Sequence, residues 1–263
     1  MNAVEKFNQR ADAVNSLVCV GLDSDLKRLP AEYRAHPTPQ YAFNCAIIEQ
    51  TQAYAAAFKI NIAFYEARGE AGWREVRETM RYLRERYPDM LTICDAKRGD
   101  IGSTSEAYAQ AIFDDLGFDA VTLSPYLGRE ALKPFLARTD KGCIILCRTS
   151  NPGAGEFQDL IIEGQPLYLH VAQRVSREWP NNCMLVVGAT YPDEMRHIRA
   201  LVGDMTFLVP GIGEQGGDVA TTVRAGMNAD RKGVIINSSR AIIFAADPAG
   251  AARDLRDAIN RAR

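Results

Sequence analysis

The chain has 263 residues, enough for one α/β barrel or two smaller domains. Its 31 Lys and Arg against 33 Asp and Glu leave a net charge of -2, which excludes the basic footprint of a nucleic-acid binder. Hydrophobic residues make up 47%, enough for a sizeable core, yet no apolar run approaches membrane-spanning length.

The first segment, MNAVEKFNQRADAVNS, is polar and amphipathic rather than a signal peptide. A cytoplasmic protein is expected. Apolar, β-branched runs then recur along the chain. They are SLVCVGLD near 16–23, AAFKINIAF near 56–64, MLTICDAK near 90–97 and DAVTLSPY near 119–126. CIILCRTS near 143–150, CMLVVGAT near 183–190, MTFLVPGIG near 205–213 and GVIINSSR near 233–240 follow. Between them lie segments of helical spacing, among them PQYAFNCAIIEQTQAYA, EAGWREVRETMRYLRER and TSEAYAQAIFDDLG. The last helix reads DPAGAARDLRDAINRAR. Eight strands alternating with helices over about 250 residues predict an α/β fold, a single-domain (β/α)8 TIM barrel spanning 1–263. A doubly wound open sheet is the alternative. It loses its dinucleotide form because no Gly-x-Gly-x-x-Gly follows the first strand.

Six cysteines and three histidines are present. No pair of cysteines has Cys-x-x-Cys spacing, so free thiols in a reducing compartment are expected. Cys143 and Cys147 could share a metal on spacing alone, but no partner cluster accompanies them.

A barrel places its chemistry where strands end. Asp23 ends the first run, Lys59 and Asn61 lie late in the second, and Asp95 and Lys97 end the third. Ser150 follows the fifth, PGIGEQGGD the seventh, and Arg240 the eighth. Strand alternation points Asp95 and Lys97 to the same side. Gly99 permits a turn, Asp100 follows, and Ser103 with Glu106 reads as a capping box opening the next helix. This charged cluster is either a salt-bridge network at the barrel mouth or a site for a charged substrate. Lys59, inside an apolar run, needs a partner, and Asp95 on the adjoining strand is the obvious one. A structural pair and a Schiff-base lysine are both open readings. The glycine-rich loop after strand seven, with Arg240 after strand eight, reads as a phosphate site built from backbone N–H groups and a helix N-terminus. RTSNPGAG, after strand five, is a lid or a turn cluster.

Taken together, FK-x-N-x-AFYE, DAKRGDIGST, RTSNPGA and PGIG-x-QGGD, with Asp23 and Arg240, resemble the orotidine 5'-phosphate decarboxylase family, most closely its longer bacterial subgroup. The resemblance runs from Asp23 to Arg240. It implies decarboxylation of orotidine 5'-phosphate to uridine 5'-phosphate without metal or cofactor. It implies that Lys97 protonates carbon 6 of the pyrimidine and that Asp95 lies beside the departing carboxylate. Lys59 is implied to hold Asp95 and a ribose hydroxyl, and Asp23 to bind ribose. Asp100 and Thr104 are implied to reach into a neighbouring subunit's site, making a homodimer with shared sites. Ser150 is implied to read the pyrimidine edge, with Thr149 as the alternative. Gln215, with Gly216 beside it, and Arg240 are implied phosphate contacts. The shorter subgroups carry a tyrosine after that glutamine, whereas Gly216 and Gly217 stand here, so no tyrosine is assigned to phosphate. Two other readings compete. One is a metal-dependent sugar-phosphate relative, and the other is a catalytically silent barrel that binds nucleotides.

Overall fold

The computed structural model describes residues 1–212 and 217–263. Eight parallel strands close into a barrel: β1 (Val18–Gly21), β2 (Ala57–Asn61), β3 (Leu91–Arg98), β4 (Ala120–Leu123), β5 (Gly142–Arg148), β6 (Cys183–Val187), β7 (Phe207–Val209) and β8 (Val234–Ser238). Each pairs with its sequence neighbours, and β8 returns to β1 through Val18↔Ile236 to Val20↔Ser238. The open-sheet alternative is thereby ruled out. The strands are buried almost throughout, as in a sheet covered on both faces.

The first helix, α1 (Ala3–Val14), has a capping box between Asn2 and Glu5. It buries Ala3, Phe7 and Ala11, spaced four apart on one face. A Cβ on Gly142, the first residue of β5, would come within 3.0 Å of the Ala3 side chain, so α1 lies across the end of the barrel where strands begin. The other long helices are α2 (Pro39–Thr51), α3 (Gly69–Arg86), α4 (Gly102–Ala109), α5 (Leu167–Glu178), α6 (Pro192–Val202), α7 (Val219–Gly226) and α8 (Pro248–Ala262). No described helix is long and apolar enough to cross a membrane.

Two local expectations fail. The second apolar run ends as strand at Asn61, not at 64. The Asn61 side chain accepts the Ala63 N–H at 3.2 Å, and Ala63–Glu66 turns into helix. The Ser103–Glu106 capping box does not form: Ile101 is the N-cap of α4, with no side-chain cap, and Glu106 pairs with Arg138. The segment read as lid or turn cluster forms a 3₁₀ turn, Pro152–Ala154, and a single helical turn, Gly155–Gln158. Beyond it the chain forms a hairpin, Ile161–Ile162 with Gln165–Pro166. Its loop, Glu163 (φ 49°) and Gly164 (φ 80°), has both residues left-handed, as a tight I′-type turn requires.

Candidate active site

The mouth of the barrel opens into a cavity of about 450 Å³. Asp23, Lys59, Asp95, Lys97, Ser150 and Arg240 all line it. Lys59 is 3% exposed, so its ammonium must be paired. Its Nζ lies 3.4 Å from Asp23 Oδ1 and 3.2 Å from Asp95 Oδ2. Burial alone would lower its pKa, but Asp23 and Asp95 outweigh burial and raise it. Asp95 receives a second ammonium, Lys97 Nζ, at 2.7 Å from Oδ1. Burial would raise the Asp95 carboxyl, yet Lys59 and Lys97 together hold it well below the usual carboxylate range. Two aspartates and two lysines therefore alternate as Asp23–Lys59–Asp95–Lys97, with no net charge.

Alternation along a regular strand does not explain how Asp95 meets Lys97. Between Cys94↔Val121 and Arg98↔Leu123 the pairing of β3 with β4 slips, three residues of β3 facing one of β4. Lys97 sits inside this bulge with φ 48°, a left-handed conformation that costs a non-glycine residue about 1–3 kcal/mol. Thr122, the single facing residue on β4, holds the bulge. It accepts the Lys97 N–H at 3.0 Å and donates to Asp95 Oδ1 at 2.8 Å. Sequence reasoning missed Thr122. A hydroxyl inside the buried run DAVTLSPY was the available signal. The side chain of Lys97 is 52% exposed, whereas that of Asp95 is 12%. The array thus has a buried end that holds and an open end that can meet a ligand.

Around β5 and β8 the cavity wall is polar but uncharged except for Arg240. Thr149 Oγ1 donates to Asn151 Oδ1 at 2.7 Å and accepts from Gln158 Nε2 at 2.9 Å. Ser150, beside it, also lines the cavity. Gln215 and Gly216 lie outside the described residues. The loop that carries them is pinched at its base, where Ile212 bridges Gly217 and Gly217 N–H donates to Gly211 O at 3.3 Å. Asp218, at the start of the helix after this loop, caps α7, accepting the Thr221 N–H at 2.8 Å.

Asp100 and Thr104 are not brought to this cavity within one chain. Asp100 Oδ1 accepts the Ile101 N–H, and Thr104 is exposed on α4. The expected freedom of Gly99 takes another form as well. A Cβ there would meet Ser124 O at 2.8 Å, so glycine allows a close approach, while the left-handed turn falls at Gly102, φ 52°.

Fold and mouth together are those of a (β/α)8 barrel with a charged cavity at the ends of its strands. The family model for "Orotidine 5'-phosphate decarboxylase / HUMPS family" matches residues 16–255. Orotidine 5'-phosphate decarboxylase from Janthinobacterium sp. (strain Marseille) is 48% identical, covering 99% of each chain. The one from Cellvibrio japonicus is 47% identical over 100% of both. The solved structure of Leishmania donovani OMP decarboxylase superimposes with a TM-score of 0.90 at 39% identity, covering 100% of this chain and 98% of that one. The chain belongs to the orotidine 5'-phosphate decarboxylase / HUMPS family.

Proposed function

We propose that this barrel, acting as one catalytic domain over 1–263, decarboxylates orotidine 5'-phosphate with Lys97 as proton donor and without metal or cofactor. The reaction is the decarboxylation step of pyrimidine biosynthesis, and full-length relatives of that name support it. The observation that carries the mechanism is the array itself: a buried Lys59 fixing Asp95, and Asp95 fixing an exposed Lys97.

Loss of carbon dioxide leaves an electron pair on pyrimidine carbon 6, with no adjacent π acceptor to spread it. A fixed ammonium supplies opposite charge where that pair develops. Lys97 then transfers an Nζ proton to carbon 6 and, being exposed, regains one from solvent. Asp95 stands beside the departing carboxylate, and Asp23 and Lys59 take the ribose. Ser150 reads the pyrimidine edge. The Thr149 hydroxyl is already committed to Asn151 and Gln158, which favours Ser150 over it. Arg240, with Gln215 and Gly216, grips the phosphate, whose binding energy helps order the site.

The second copy is part of the same proposal. Asp100 and Thr104 complete the partner's site in a homodimer. Exposed Ile101, Tyr108, Tyr126 and Leu127 sit in the same β3–α4 and post-β4 segments and support a covered surface there. A cytoplasmic location fits the pathway and six unpaired cysteines.

The test is the absorbance change on adding orotidine 5'-phosphate to chelator-dialysed protein. Full turnover is expected. Activity lost to chelator and restored by magnesium would favour the sugar-phosphate branch of the family. Binding with no turnover under any condition would favour a silent barrel.

A further inference from the structure

The strand-five loop, RTSNPGAG, contains a heavily braced turn at the cavity, and the proton-transfer array uses none of that bracing. Arg148 ends β5 and is 2% exposed. Its Nη2 pairs with Asp159 Oδ2 at 3.1 Å, Nη1 lies 3.4 Å from Gln158 Oε1, and its guanidinium stacks on Tyr191 at 3.8 Å. Gln158 lines the cavity and clasps Thr149 twice. Its Oε1 accepts the Thr149 N–H at 2.9 Å, and its Nε2 donates to Thr149 Oγ1 at 2.9 Å. The other side of the turn is pressed against Gly188, just past β6. A Cβ on Gly188 would fall 2.8 Å from both Cα and Cβ of Ser150. The Gly188 N–H also donates to Arg148 O at 2.8 Å. Ser150 thus lies between Thr149, held by Gln158, and the bare backbone of Gly188, and its carbonyl accepts from Thr190 Oγ1 at 3.4 Å, while no hydrogen bond among the described residues occupies its hydroxyl.

We infer that Gln158, oriented by Arg148 and Asp159, together with the bare backbone of Gly188, forms a cradle that sets Ser150 for the base. These are positioning residues for base recognition, and the inference rests on the reading of Ser150 given above. A buried arginine is costly unless paired, so spending one on a surface loop makes sense where the loop must hold one conformation. Thr149 is not a second reader of the base. Its hydroxyl is the strap by which Gln158 holds the turn.

The inference predicts a loss that depends on the base. Competition against orotidine 5'-phosphate would compare uridine 5'-phosphate, which carries a pyrimidine, with ribose 5-phosphate, which does not. Gln158→Ala and Gly188→Ala are each expected to weaken uridine 5'-phosphate about tenfold, as for one hydrogen bond misplaced, and ribose 5-phosphate less than about twofold. Asp159→Ala, half exposed and outside the cavity, is expected to shift uridine 5'-phosphate in the same direction by about threefold. It keeps the test available if a cavity variant does not fold. Equal weakening of both ligands in these variants, or no weakening of either, would overturn the cradle. A Ser150→Ala control separates the two levels. If it spares uridine 5'-phosphate, the reading of Ser150 fails. If it weakens that ligand while the cradle variants do not, only the cradle fails.

Discussion

Asp95 carries the heaviest electrostatic load of any residue in the site, because two ammonium groups and one hydroxyl converge on its carboxylate. Its lowered pKa means that its contribution to stability is complete above the unfolded value near ~3.9 and is lost as pH falls below that. Lys59 is raised, so its contribution is complete below about 10.4 and is lost as pH rises through its folded value. Asp95 and Lys59 therefore both contribute fully between those limits. Asp95→Asn is expected to lower stability by an amount that stays flat from about pH 5 to 9 and shrinks below about pH 4. Denaturant unfolding of both proteins across that range checks it, and a difference growing towards acid pH would contradict it. Much at this scale was legible, because Asp23, Lys59, Asp95 and Lys97 are charges inside apolar runs and so call for an explanation. Thr122 was not, because a threonine in a strand is ordinary. Only the slipped β3–β4 pairing gives it a task.

At the scale of elements, each strand end does a separate job. Asp95 and Lys97 come together through a bulge at the end of β3, and the Arg240 segment follows β8. Elsewhere in the barrel a single arginine links several elements. Arg199, on α6, donates to Gly226 O, Met205 O and Gly233 O at 2.6–2.8 Å, and also to Gly203 O. Its guanidinium stacks on Phe207 at 3.8 Å. One side chain thereby ties α6, the start of β7, the end of α7 and the approach to β8. Burial lowers its pKa to about 10, with Asp204 opposing. Arg199→Met would leave several backbone carbonyls without a donor, at a cost of about 2–4 kcal/mol. Calorimetry should show a lower Tm with kcat near that of the wild type. An unchanged Tm would mean that these bonds contribute nothing net. Element order was legible because buried parallel strands read as continuous apolar runs. The capping box and the Glu163–Gly164 hairpin were not. The cap motif met a helix that begins two residues earlier, at Gly102, with Ile101 as its N-cap. Glu-Gly is a weaker turn signal than Asn-Gly.

The whole molecule raises the question of where one active site ends. Lys97 faces the cavity of its own barrel, whereas Asp100, three residues on, does not. Mixing inactive Lys97→Ala with inactive Asp100→Ala subunits tests the shared site. A mixed dimer has one site carrying both defects and one carrying neither, so activity should return. Random exchange makes about half of the dimers mixed. If each subunit builds its own site, every site keeps a defect and no activity returns once exchange is verified. The closed barrel could be foreseen from eight apolar runs, but the exposed apolar residues around α4 could not. Ile101, Tyr108, Tyr126 and Leu127 read singly as ordinary apolar residues until the fold exposes them in adjoining segments.

The central claim is that an ammonium, fixed by two buried neighbours, meets the charge left when carbon dioxide departs. It is tested most directly by turnover of orotidine 5'-phosphate and binding of uridine 5'-phosphate, both measured on wild type and Lys97→Ala. The account predicts that Lys97→Ala loses roughly 10³-fold or more of kcat. It also predicts that the variant still binds the product nucleotide within about tenfold, because the phosphate, ribose and base contacts lie on other residues. A folded Lys97→Ala enzyme with near-normal turnover would contradict it.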